Sequence, residues 1–302
     1  FGAIRDSKVH DVKIIPDKEV KGNDRIGTVV GYAVDSEIRN VTVKNAALNT
    51  SGIAGGIAGE ISGTVIENTI CDNVIIDAQA GNEVIYIGGV AGIASDSVIA
   101  DCDVATGTGN TARIQGTGYT GGIVGFQNST DIYNVHVNGT IGGYHSTAIG
   151  GITGNYVSGK LKVARFEGSI GNSQLGSMAR EGTFIGTRQG AATNFNYIDD
   201  VAYLFANSES KISANVCGSE IADDNDYTYA AHIGYWHSSD LYYTLVQGGT
   251  SKNMTDQYFY EELEDGILTV MDENEDSRYT IDHFAPNSVG RPVRGYLIIV
   301  NQ

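Results

Sequence analysis

A six-residue segment that occurs five times constrains this chain more than anything else in it. The copies are Ile26-Gly27-Thr28-Val29-Val30-Gly31, Ala54–Gly59, Ile87–Gly92, Thr120–Gly125 and Ile149–Gly154, and Phe1-Gly2 fits the end of the same pattern. The last glycines (Gly2, Gly31, Gly59, Gly92, Gly125 and Gly154) stand 29, 28, 33, 33 and 29 residues apart. A period near thirty, lengthened by insertions in some copies, is the signature of a solenoid whose turns carry loops of different length.

The register after that glycine carries the same message. Seven residues on stand Val9, Ile38, Ile66, Ile99, Ile132 and Leu161; ten residues on stand Val12, Val41, Thr69, Cys102, Val135 and Ala164. Twelve residues on stand Ile14, Val43, Cys71, Val104, Val137 and Phe166. Positions ten and twelve share one side of a strand. At position nine, Asp11, Asn40, Asn68, Asp101 and Asn134 recur, broken by Val163. Such side chains tolerate bends, and in stacked turns they form a hydrogen-bonded ladder.

Composition fits this picture. Glycine makes up 40 of the 302 residues and proline 3, against usual shares of about 7% and 5%. Glycine without proline indicates tight turns that still donate backbone hydrogen bonds, as extended β architectures need. A hydrophobic share of 41% is enough for a core. The net charge of −17 repels a polyanion, so no nucleic-acid partner is expected. No run approaches about 18 apolar residues, so no membrane-inserted helix is expected. Three cysteines cannot make a disulfide scaffold. Cys71 and Cys102 differ by two residues in register, which favours buried free thiols over a bridge.

The period decays after about residue 170. Phe184-Ile185-Gly186 and His232-Ile233-Gly234-Tyr235-Trp236 look like degenerate copies, and the longer insertions here put loops where recognition usually sits. From Ser251 to Gln302 there are ten acidic and four basic residues. A short helix is expected from about Thr255 to Asp265 with Gly266 as its stop, then three strands at Ile267–Met271, Arg278–Phe284 and Val293–Val300. The expected fold is therefore all-β: a parallel β-solenoid of six to eight coils over residues 1–250, ending in a small acidic β cap module over 251–302. From the usual crossover preference alone, a right-handed coil is expected. Phe1-Gly2 falls inside a coil, so preceding coils are expected and the chain reads as part of something larger.

The Gly-Gly-[Ile/Val]-Ala-Gly runs, followed by Ser/Thr-x-[Ile/Val]-x-Asn-Val-x-Val as in Ser36–Val43 and Thr130–Val137, resemble the GLUG-type repeat of large bacterial surface proteins and adhesins. They are also similar to the non-catalytic N-terminal region of the IgA1-specific zinc metallopeptidases. The resemblance covers residues 1–170 well, 171–250 weakly and the tail hardly at all. It implies an extracellular bacterial protein, at the cell surface or secreted, whose solenoid docks a host glycoprotein, an immunoglobulin or a glycan. The metallopeptidases cut with a His-Glu-x-x-His helix, and no two of the six histidines here are four apart.

Parallel β-helices also carry polysaccharide lyases and glycoside hydrolases. Asp199-Asp200 and Asp223-Asp224-Asn225-Asp226 are the dense acidic pairs, but adjacent strand residues face opposite ways and no cation accompanies them in sequence, so solvated turn acids are the default. Asp272, Asn274 and Asp276 fall on positions one, three and five of an EF-hand-like loop, the donor set for calcium. Position six is Ser277 and position twelve His283, so an acidic hairpin turn is the simpler account and no other cofactor is expected. Aromatic residues crowd between Tyr227 and Tyr260. Of these, Tyr235, Trp236, Tyr242 and Tyr243 are the candidate binding residues, since exposed rings on a rigid face stack on sugars or anchor a protein partner; the simpler account is that the wide end of the solenoid and its cap fill their core with large rings. A non-catalytic scaffold is the leading expectation, with an immunoglobulin-docking region and a β-helix carbohydrate enzyme behind it.

Overall fold

A computed structural model describes residues 1–79, 84–107, 113–144, 147–172, 180–182 and 184–188. Beyond these it describes the strand segments 203–207, 231–237, 240–247, 250–254, 260–264, 267–271, 277–281 and 295–300. One turn of the chain makes four strands, for example Arg25–Gly27, Val30–Val34, Glu37–Lys44 and Ala47–Thr50. The next turn repeats them as Ile53–Gly55, Ala58–Ser62, Val65–Asp72 and Ile75–Ala78. Each strand pairs in parallel with its counterpart one turn on. The strands beginning at Val30 and its equivalents form a seven-stranded sheet, and those beginning at Arg25 form a six-stranded one. The other two faces join in a single large sheet. The protein is an all-β parallel solenoid of five complete turns, with partial turns before and after.

From the second coil on, the three predicted inward rows are buried in the core; in the first coil Val9 and Ile14 are partly buried and Val12 is exposed. Ile38 pairs with Ile66, Ile66 with Ile99 and Ile99 with Ile132, in one file whose members are all fully buried. Positions ten and twelve form parallel files beside it. A flat strand cannot send positions seven and ten to the same side, because they are an odd number apart. The chain solves this at position nine, where Asp11, Asn40, Asn68, Asp101 and Asn134 all take left-handed backbone angles (φ 46–56°). One residue leaves the β region, the strand bends, and both aliphatic positions face inward. Asn and Asp enter that region at least cost among residues with side chains. Their side chains stack as expected: Asn40 donates to Asp11 (3.0 Å), Asn68 to Asn40 (2.7 Å) and Asn134 to Asp101 (2.6 Å).

A second ladder lies at the corner before this bend. The hydroxyls of Ser36, Thr64, Ser97 and Thr130 each donate to the carbonyl two residues back in their own turn (2.6–3.0 Å). The hydroxyls of Thr64, Ser97 and Thr130 each accept the amide N–H of the equivalent residue one turn earlier (3.1–3.3 Å). The Ser/Thr of the repeat thus satisfies backbone groups that a buried corner would otherwise strand. Buried Gln127 is likewise complete, donating to the Thr130 and Lys160 carbonyls and accepting from Thr153.

The degenerate copies part company. Ile185–Arg188 adds a parallel rung, with Ile185 opposite Thr153 and Phe184 fully buried. The copy around Ile233 does not. Ala231–His237 pairs antiparallel with Asp240–Gln247 and with Gly295–Val300, which itself pairs antiparallel with Tyr203–Asn207. This is why the complete turns number fewer than the coils expected. Only two residues separate His237 from Asp240, and a connection that short joins antiparallel neighbours, never parallel ones. The helix expected over 255–265 is also corrected: Tyr260–Glu264 is a strand paired antiparallel with Ile267–Met271. The sequence Asp265-Gly266 between them suits a two-residue hairpin as well as a helix stop, and the strand pairing decides for the hairpin reading of the sequence.

Candidate functional site

Residues Tyr235, Trp236, Tyr242 and Tyr243 sit on the two strands of that antiparallel pair. Tyr235 stands opposite Tyr242, Gly234 opposite Tyr243 and Trp236 opposite Leu241. The backbone brings all four to one hairpin, spread over three successive ladder positions. Asp272, Asn274 and Asp276 lie outside the described residues, as do Asp199, Asp200 and the acidic run from Asp223 to Asp226. The strands flanking 272–276, Ile267–Met271 and Ser277–Ile281, pair antiparallel. Among the described residues, no group of three or more His, Cys, Asp or Glu is placed to hold a metal ion.

The best-defined aromatic cluster was missed in the sequence, and it lies at the edge where the glycines recur. A Cβ on Gly88 would stand 2.0 Å from the Ala91 carbonyl oxygen and 2.5 Å from that of Ile123, so backbone packs directly on backbone here. Two columns of side chains run along this thin edge. One lies six residues before the last glycine of each repeat (Arg25, Ile53, Tyr86, Tyr119), the other one residue after it (Tyr32, Glu60, Ile93, Phe126, Asn155). The columns mesh with an offset of one turn. Arg25 forms an ion pair with Glu60 of the next turn, and Tyr86 meets Phe126 of the next turn edge-on, with centroids 5.1 Å apart at 66°. Tyr86 also stacks on Tyr119 at 5.4 Å and 8°. Arg25 lies over the Tyr32 ring at 5.4 Å.

The stripe changes character along the solenoid axis. At one end the Glu60 carboxylate holds the Arg25 guanidinium further into its charged range, against some desolvation. In the middle Ile53, Tyr86, Ile93 and Phe126 are half-buried. Desolvation, with the Tyr119 ring beside it, pushes the Tyr86 phenol up, so it remains a hydrogen-bond donor at neutral pH. At the far end Tyr119 is 8% exposed and Asn155 fully buried. Neither amide atom of Asn155 has a hydrogen-bond partner among the described residues.

Elsewhere, ionisable groups pair between turns. On the face carrying the isoleucine file, Lys8 pairs with Glu37 (3.0 Å), Lys44 with Asp72 (2.6 Å), Arg39 with Glu67, and Asp103 with His136 (3.2 Å). Lys8 above all holds the Glu37 carboxyl below its usual range, and hydrogen bonds from His10 and Asn40 do the same for Asp11. On the next face, Gln115 donates to the Tyr144 hydroxyl, whose pKa is raised by burial and then by Asp77. Cys71 and Cys102 are buried free thiols. Burial raises both, Cys102 to about 12, which leaves them protonated and unreactive as nucleophiles. No family model matches the chain, and a search of curated proteins finds no match.

Proposed function

We propose that this chain is a non-catalytic scaffold of a larger bacterial surface protein, working outside the cell by binding a host or neighbouring macromolecule. The observation that carries the reading is the fate of its charges. Along the described turns, carboxylates meet cations or amides of the adjacent turn (Lys8–Glu37, Lys44–Asp72, Arg25–Glu60, Asn40–Asp11). Among the described residues, neighbouring hydrogen-bond donors and cations pull the carboxyls of Asp11, Glu19 and Glu37 below their usual range. Glycoside hydrolysis needs the opposite, a carboxyl raised to act as an acid beside a second one across a cleft. Groups held in this way stiffen a rod and offer broad faces to a partner.

The test is binding of the full chain to immunoglobulins, other host glycoproteins and glycans, read together with product release from polysaccharides. Saturable binding without turnover is the expected result. Release of new reducing or unsaturated ends at a rate proportional to protein would overturn the reading in favour of a carbohydrate-active enzyme.

A further inference from the structure

We infer that the edge stripe is a binding site for a neutral saccharide chain, which lies along the solenoid axis over Ile53, Tyr86, Ile93 and Phe126. This rests on the scaffold reading above and adds the ligand class and its address. Three observations lead there. First, the two columns are electrically neutral on a chain of net charge −17, because their one cation and one carboxylate, Arg25 and Glu60, neutralise each other, and the neighbouring Asp24 carboxylate is itself held by Arg25. An anionic polymer is repelled by the whole molecule, and a cationic one finds no spare carboxylate in the two columns. Second, the middle of the stripe pairs half-buried apolar surface with phenolic edges. Tyr86 and Tyr119 occupy each other's faces, so Tyr86 offers its rim and hydroxyl while Ile53, Ile93 and Phe126 supply apolar area. A sugar ring has matching C–H surface and hydroxyls.

Third, the column that holds Ile93 and Phe126 continues to Asn155, which stands in register with Phe126 and has an unpaired donor and an unpaired acceptor. That amide is fully buried and closes the far end of the stripe, so the ligand lies on the half-buried residues before it. A peptide adding as a strand would need a ladder of backbone partners, and the stripe is built of side chains. From the Arg25–Glu60 level to the Tyr119–Asn155 level is three turns, about 14 Å at strand spacing, room for an extended oligosaccharide.

The full chain is titrated with neutral, anionic and cationic oligosaccharides. Neutral ones should bind, and Tyr86→Phe, which keeps the stack and removes only the hydroxyl, should weaken them by about threefold to tenfold. Phe126→Ala should weaken binding by more than about tenfold. Because Phe126→Ala could also loosen the edge, hydroxyl-radical footprinting of the unmutated chain is read in parallel, with protection of Tyr86 and Phe126 expected when sugar is present. Preference for charged sugars, neutral binding indifferent to both substitutions, or absence of protection would each overturn the assignment. Binding of immunoglobulin with no sugar bound at all would overturn this inference while leaving the scaffold reading intact.

Discussion

The chain bends at several places in every turn, and two of them use opposite means. At the glycine edge side chains are removed: Gly55, Gly88 and Gly121 each sit where a Cβ would come within 2.0 Å of a carbonyl oxygen three residues on. At the position-nine bend side chains are retained and used, with Asn40 and Asn68 taking left-handed angles and bonding to the turn before. The first device is steric and all-or-none. The second is a sum of small, replaceable terms.

The comparison breaks most readily at the edge. Gly88→Val should abolish the cooperative fold or cost more than about 4 kcal/mol in denaturant unfolding, because backbone on both sides must move. An unfolding midpoint close to that of the unmutated chain would mean the edge is softer than it looks. Truncating the aliphatic file comes next. Ile99→Ala, fully buried between Ile66 and Ile132, should cost about 2–5 kcal/mol in the same assay.

The bend should respond more gently, and in both directions. Asn40→Ala loses two ladder bonds and a residue suited to positive φ, for about 1–3 kcal/mol. Asp101→Asn should stabilise by about 0.5–1.5 kcal/mol. Asp101 accepts from Asn134, but a carboxylate has no proton to donate to Asn68, so the ladder is interrupted there. An amide restores the missing donor.

The smallest effect is chemical. Cys71 and Cys102 should resist alkylation in the folded chain at mildly alkaline pH and react at once in denaturant. Their folded pKa values lie above the unfolded one, near about 8.5. The folded state therefore holds these protons more tightly, a contribution complete below the unfolded pKa and lost as pH climbs through the interval up to the folded values. Rapid labelling of either thiol without unfolding would show that the edge and the file between them open together.

Much of the interior was legible because stacking makes equivalent residues touch. A column such as Ile38, Ile66, Ile99 and Ile132 shares one chemistry, and Asn or Asp at position nine gives away the bend. The edge stripe was not legible. Its two columns mesh one turn out of step, so Arg25 meets Glu60 and Tyr86 meets Phe126 over 35 and 40 residues of sequence. Its members also differ in type from turn to turn. Tabulating the positions six before and one after each last glycine would have shown aromatics and aliphatics side by side, though not the offset. The Ser/Thr corner was visible as part of the repeat, but its two-way hydrogen bonding needed the adjacent turn.

By itself the sequence determined that the chain coils in parallel, which side chains fill the coil and where it must bend, since all three follow from local backbone preference repeated at a fixed period. Tertiary structure alone decided how neighbouring turns are offset at the thin edge, and hence that a neutral aromatic stripe exists. It also decided that the copy around Ile233 turns back on itself, pairing antiparallel with Asp240–Gln247 and Gly295–Val300 instead of adding a parallel rung. Such contacts depend on which distant strand offers an edge at the right height, and a local motif carries no record of that.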